Sequence, residues 1–227
     1  FSDAATLTYI VGYRSFSIDP NFRTLPTTYR SFTFLDEADT QSHELRLNGQ
    51  ASGITYQIGG FYFKETLDRE SGFFLPIGAN GTFLSYFGRK ISSDSKSVFG
   101  QVEVPLADTL TAVGGLRYTD NGREAIYQNG SATATFTYNA NGTATVVRGG
   151  PNTNAALFNT GPSRKNFSAI SPQILNLASS ESKVTWLLGL NFKPNPDTLI
   201  YGKVSTGFKG GGFDAVGDYK PESNLAI

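Results

Sequence analysis

The chain has 227 residues, with 19 Lys and Arg balanced by 19 Asp and Glu, no cysteine, no methionine and a single histidine. Zero net charge without a basic block excludes nucleic acid as a partner, and the missing cysteines exclude disulfides and thiolate metal sites. No apolar run approaches the roughly 18 residues of a membrane helix; 25 Gly, 18 Phe and 11 Tyr favour an all-β chain instead. Beginning at Phe1 without a charged, apolar leader, the chain is expected to be part of a longer protein whose secretion signal lies upstream.

In chain order, alternation of apolar and polar residues predicts seven strands, over 6–16, 42–48, 54–65, 97–106, 109–119, 183–193 and 199–208. The clearest is 183–193, which sets Val184, Trp186, Leu188, Leu190 and Phe192 against Thr185, Leu187, Gly189, Asn191 and Lys193. In 54–65 both faces carry apolar or aromatic groups around Phe61, Tyr62 and Phe63, so its inside and outside stay open. Most of these segments are close to the roughly 9 to 11 residues with which a tilted strand crosses hydrocarbon. Short turns are predicted near 49–53, 107–108 and 194–197, and long loops over 18–41, 66–96 and 120–182. The last loop carries a hairpin of 133–138 against 143–148 around an Asn-Ala-Asn-Gly turn. Three loops of that length count against a small soluble sandwich.

If the apolar sides face lipid, alternation turns Glu44, Arg46, Gln101, Glu103, Arg117 and Lys203 toward a lumen. An Arg or Lys on the lipid face would cost about 2 to 4 kcal/mol near midplane, which is the reason to place them inward. Tyr9, Tyr13, Tyr56, Tyr62, Tyr118, Trp186 and Tyr201 sit where an interfacial aromatic girdle would. The loop aromatics Phe73, Phe74, Phe83, Tyr86 and Phe87 are candidates for lining a ligand's approach.

Other motifs read more plainly. The string 210–215, GGGFDA, fits a dinucleotide fingerprint, but no helical period follows it to supply a phosphate-binding N-terminus. The acceptor-like Asn80, Asn129, Asn141 and Asn166 are read as turn residues. Ser42, His43 and Glu44 point to alternate faces of one strand and cannot form a triad, so no catalytic constellation, metal site or cofactor is expected.

The run 197–222, DTLIYGKVSTGFKGGGFDAVGDYKPE, resembles the barrel of the TonB-dependent outer-membrane receptors, where a tyrosine-bearing strand enters Gly-Phe-Lys-x-Gly-Gly-Phe and then Tyr-x-Pro-Glu. QSHELRL at 41–47 is similar to their Gln-Glu-Leu-Arg-Leu strand, with His43 ahead of the Glu. IGGFYFKE at 58–65, the Phe-Gly-Gln of 99–101 and GLRYTD at 115–120 extend the likeness over nearly the whole chain. The resemblance implies an antiparallel transmembrane β-barrel of 22 strands with an N-terminal plug, of which residues 1–227 supply about seven strands, without the plug, the TonB box or the final strands. It also implies residence in the outer membrane of a Gram-negative bacterium, in contact with outer-membrane lipid. Function would be active import of a scarce solute, most often a ferric siderophore, driven by TonB with ExbB and ExbD, rather than enzymatic. The inward charges would then meet the plug. A porin or adhesin-like barrel, and a soluble carbohydrate-binding β-sandwich, are the alternatives.

Overall fold

The computed structural model describes residues 5–18, 21–24, 30–77, 81–138, 140, 144–149, 172–213, 218–219 and 222–226. The strands are β1 Ala5–Ile18, β2 Asn21–Thr24, β3 Arg30–Ala51, β4 Ile54–Ile77, β5 Gly81–Ala107 and β6 Leu110–Tyr138. They continue with β7 Ala144–Gly149, β8 Gln173–Asn195, β9 Thr198–Lys209, β10 Gly212–Phe213, β11 Asp218–Tyr219 and β12 Glu222–Ala226. The main sheet runs β1-β3-β4-β5-β6-β8-β9-β12, with β2 on β3 and β7 on β6, while β10 and β11 form a separate ribbon. Every pairing is antiparallel, so the path is a meander in which each long strand lies beside its neighbours in sequence. The seven predicted segments fall within β1, β3, β4, β5, β6, β8 and β9, save Thr109 in the turn ahead of β6, and the short β12 extends the path by pairing with residues 205–209.

One end of the sheet closes in two-residue turns. Ser52 and Gly53 join β3 to β4 with φ of 50° and 80°, the left-handed pair that matches the twist of a hairpin. Turns at 108–109 and 196–197 join β5 to β6 and β8 to β9, and the Asp197 N–H donates to Asn195 Oδ1 at 3.1 Å in the second. Ahead of the 108–109 turn, Leu106 is the extra residue of a bulge between Pro105 and Ala107, a position that tolerates the missing proline N–H.

At the other end the loops expected over 18–41, 66–96 and 120–182 are largely strand. β3, β4, β5 and β6 are 22, 24, 27 and 29 residues long, about twice a membrane crossing. Both faces mix polar with apolar residues there, as with Leu67, Ile91 and Ala125 on one side and Tyr86 and Ile126 on the other, so hydrophobic alternation does not mark the extension; the continuous backbone ladder and cross-strand ion pairs help to hold it. Arg69 donates through Nε and Nη2 to the two carboxylate oxygens of Asp36, the latter bond at 2.7 Å, and Lys90 Nζ lies 3.0 Å from Asp68. Fork-to-carboxylate pairing of this kind carries geometric specificity. The 133–138 hairpin does form, as Tyr138 pairs with Ala144 and Ala134 with Gly149. Asn129 is no turn residue: it pairs with Phe87 and Gln173 in mid-strand. Asn80, Asn141 and Asn166 lie outside the described residues.

Register sorts the side chains into two faces, because directly paired residues share a face and alternate ones oppose it. One row reads Leu7, Leu47, Ile58, Gly100, Leu116, Trp186 across six strands, and the next Tyr9, Leu45, Gly60, Val98, Tyr118, Val184. This face is apolar throughout the short-turn half. Register therefore settles β4, with Tyr56, Ile58 and Tyr62 on the apolar face and Phe61 and Phe63 on the other. The apolar band does not follow the rows. Its upper limit is Tyr13 on β1, Tyr62 on β4, Tyr118 on β6 and Val204 on β9, each on the same row as the last or a lower one, as strands tilted to a barrel axis require.

The described residues hold no sandwich core: the buried apolar side chains are Ala38, Tyr86, Ala125, Tyr127 and Ala132, none in the apolar band. Val184, Trp186, Leu188 and Leu190 are 36 to 61 % exposed, so the face that alternation marks as apolar is open to its surroundings. A contiguous patch of this extent requires an apolar medium against it.

Candidate functional site

The opposite face carries Glu44, Arg46, Gln101, Glu103, Arg117 and Lys203, all six on one side of the sheet. They do not form one cluster. Arg46 Nε donates to Glu44 Oε1 at 2.5 Å along β3. Gln101 pairs with Gln57 and Gly115, Glu103 with Thr55 and Val113, and Lys203 with Gly189.

Arg117 has the most structured surroundings. Its Cζ lies 5.6 Å from the Phe99 ring centroid and 5.8 Å from that of Phe61, while Nη2 donates to the buried Ser97 Oγ at 2.7 Å and Nε to Thr119 Oγ1 at 3.3 Å. Two aromatic faces and two hydroxyls orient the guanidinium, and no carboxylate lies within ion-pair distance of it among the described residues, although its field reaches Glu44 on the same face. Phe99 can lie across the sheet because its β4 neighbour is Gly59: a Cβ there would stand 2.5 Å from Phe99 Cζ and 2.8 Å from the Leu45 carbonyl oxygen.

The expected girdle is present on the apolar face at its upper limit, where Tyr9 Oη lies 2.6 Å from His43 Nδ1 and Tyr62 approaches the same ring at 6.1 Å. Val11, His43, Tyr62, Lys96 and Asp120 share the row at which this face turns polar. Tyr201 departs from the expectation: it pairs with Asn191 on the polar face, because Ile200 opposite Phe192 occupies the apolar one. Nor are the five aromatic candidates in loops. Phe73 and Phe74 belong to β4 and Phe83, Tyr86 and Phe87 to β5; the side chains of Phe73, Phe74 and Phe83 lie outside the described residues. Tyr86 is buried on the side of the sheet shared with the apolar band, its hydroxyl donating to Glu70 Oε1 at 3.4 Å and Gln128 Oε1 at 3.3 Å. Phe87 is exposed on the opposite face.

Above the band, charge is segregated by face. Glu37, Asp39, Asp68, Glu70, Asp94 and Glu124 lie on the side continuous with the apolar band, against Lys64 and Lys90. The other side carries Arg14, Arg69, Arg89, Arg123 and Lys209 against Asp36, Glu65 and Glu181. Above the band the described charges thus divide into an acidic side and a basic side.

The glycine-rich run after β9 folds onto that basic side. Arg123 Nη1 donates to the Gly211 carbonyl at 3.2 Å, Tyr127 Oη to the Phe213 carbonyl at 2.9 Å, and the Gly211 N–H to Glu181 Oε2 at 3.0 Å. All three contacts read backbone, and glycine lets it come close: a Cβ on Gly212 would stand 2.8 Å from Arg123 Nη1. Arg123 and Tyr127 share the face of Arg117, at even spacings from it, beyond the point where alternation in hydropathy fades.

Taken together, a single wide meander with one apolar face, one polar face, tight turns at one end and tall strands at the other is the wall of a transmembrane β-barrel. The family described as TonB dependent receptor-like, beta-barrel, matches residues 1–225, and the chain belongs to it. The structure of the ferric yersiniabactin uptake receptor FyuA from Yersinia pestis is similar in fold, with a TM-score of 0.63 at 13 % identity over 100 % of this chain. This chain spans 29 % of the length of that receptor. No curated protein sequence matches it. The family match favours a receptor over the porin, adhesin and sandwich alternatives.

Proposed function

We propose that this chain is part of the barrel of an outer-membrane active transporter that binds and imports a scarce, bulky solute, a ferric siderophore, with energy delivered by TonB together with ExbB and ExbD. The observation that carries the reading is the division of one continuous sheet into an apolar face, which we read as the lipid side, and a charged face, which we read as the lumen, in a chain of this family. A basic face above the apolar band suits an anionic solute. No reacting group is assigned a catalytic role, and the working residues are those that hold a plug and meet a solute in the outer membrane of a Gram-negative cell.

The test is uptake. The complete receptor carrying this segment, produced in an iron-starved Gram-negative strain without other siderophore receptors, is expected to restore growth on at least one of ferric citrate, ferrichrome and ferric enterobactin, and to do so only when TonB is present. Growth on none of the three, or growth independent of TonB, would refute the reading.

Arg117 is proposed as a contact for the plug, since no carboxylate lies within ion-pair distance of it among the described residues and Phe61 and Phe99 flank its guanidinium. Reversing it, Arg117→Glu, is expected to loosen plug docking and speed hydrogen exchange of plug amides in the complete receptor by about tenfold, the scale of one charge-assisted hydrogen bond. Unchanged plug protection would remove Arg117 from that role.

A further inference from the structure

The wall divides between β8 and β9. Register pairing of these two strands runs from Asn195–Thr198 to Leu187–Ser205 and stops there. Above that point β8 stays with β6 as far as Gln173–Asn129, while β9 stays with β12 from Ser205 to Lys209. The Trp186 N–H, one residue past the last pair, donates to Thr206 Oγ1 at 2.9 Å, so a side chain takes the place of a ladder carbonyl. Beyond Lys209 the chain leaves the line of β9 and crosses the polar face of β8 toward β6, where Glu181, Arg123 and Tyr127 hold the backbone of Gly211 and Phe213. A Cβ on Gly210 would stand 3.2 Å from Asn121 Nδ2, so the crossing chain lies close on β6 from its first residue.

From this division we propose that residues 205–213, with 222–226 as their partner strand, form a latched flap in the wall, hinged at Ser205 and folded onto the polar face. The flap swings away from β8 while the β6–β8 ladder and the lower β8–β9 ladder stay closed. The reason lies in what holds each part. The β6–β8 ladder is unbroken from Leu110–Phe192 to Asn129–Gln173 and opens only by losing many backbone bonds together. Among the described residues the flap is held to β6 and β8 by four hydrogen bonds, each between a side chain and the backbone. Each such bond is of modest net strength, and segments with few of them open at low cost beside a rigid neighbour. Latched, the flap takes up space on the polar face between β6 and β9; released, it returns that space. The inference concerns the wall itself and stands apart from the import reading.

Hydrogen exchange of the complete receptor in detergent, followed peptide by peptide by mass spectrometry, tests the flap. In the wild type the amides of 206–213 are expected to exchange faster than those of 117–123, which lie in β6 between two paired neighbours. Tyr127→Phe removes the bond to the Phe213 carbonyl and keeps the buried ring, and is expected to speed exchange across 206–213 about tenfold, the scale of one hydrogen bond. Thr206→Val, at the hinge end, removes the acceptor of the Trp186 N–H and is expected to speed the same amides together. In both variants 188–192 and 199–204 keep their wild-type rates. Protection of 206–213 equal to that of 117–123 in the wild type overturns the flap. Faster exchange confined to 210–213 in Tyr127→Phe, or to the neighbours of Thr206 in Thr206→Val, also overturns it, since the segment would not move as one. Faster exchange that spreads to 188–192 and 199–204 removes the hinge, and unchanged rates in both variants remove the latch.

Discussion

Replacing Leu188 by Arg is expected to destabilise the barrel of the complete receptor by about 2 to 4 kcal/mol, the depth-dependent cost of a guanidinium at the midplane of the lipid face. Leu188 is the central member of the β8 lipid-facing set, with Val184 and Trp186 above it and Leu190 and Phe192 below. It pairs with Gly114 on β6 and Val204 on β9, neither of which can compensate a charge. At 61 % exposure it packs little against the protein, so loss of packing contributes only a small share and the solvent change dominates. Gln57→Lys serves as the control: it adds one charge on the lumen face, beside Gln101, and is expected to stay within about 0.5 kcal/mol. Urea titrations of reversible folding into phospholipid vesicles measure both. Equal effects would mean that the two faces do not differ in solvent, and the assignment of lipid and lumen would fall with them.

Gly59→Ala should cost about 1 to 3 kcal/mol in the same titration, the range for forcing one carbon into filled space. The new Cβ meets the Phe99 ring at 2.5 Å and the Leu45 carbonyl oxygen at 2.8 Å, so both a side chain and a neighbouring strand must move. A displaced Phe99 ring would leave Arg117 without one of its two aromatic faces. The double variant Gly59→Ala, Phe99→Leu is expected to recover part of the loss and no more, because trimming the ring does nothing for the carbonyl. The coupling energy from that cycle isolates the ring contact. Gly60→Ala is the comparison, since its nearest neighbour would be the Ser97 carbonyl at 3.9 Å and its cost should be small. Additive effects of Gly59→Ala and Phe99→Leu would show that Phe99 does not lie across Gly59.

The residues that meet lipid were legible in the sequence because lipid imposes a rule at every second position. Val184 through Phe192 show it without exception, and so each crossing segment could be located by period alone. Above the band that rule lapses. Arg123, Ala125 and Tyr127 keep the inward parity of Arg117, but inward Arg123 and Ala125 alternate with outward Glu124, Ile126 and Gln128, so each face mixes both kinds, hydropathy carries no period, and the expected segments cover only the short-turn halves of β4 through β6. Faces around Phe61 to Phe63 needed cross-strand register, which supplies Gly60 and Val98 as outward neighbours of Tyr62. Tyr201 was misplaced because ring type alone suggested an interface, whereas pairing with Asn191 fixes its parity. The clasp of 210–213 was the least legible part. Its glycines marked a closely approached backbone, but the side chains approaching it stand some thirty to ninety positions earlier, on β6 and β8.

The oblique course of the greasy belt means that depth and hydrogen-bonding rung are different coordinates. Val102 and Val204 sit on one unbroken rung through Gly114 and Leu188, yet Val204 stands at the belt's upper margin while Val102, below Val98 and Gly100 on its strand, lies in the interior. An identical charge introduced at each would be quenched by headgroups in the one case and stranded among acyl tails in the other. Any scan of this wall is therefore to be ordered along the slant of the staves, as on the hoops of a cask, and not along its rungs.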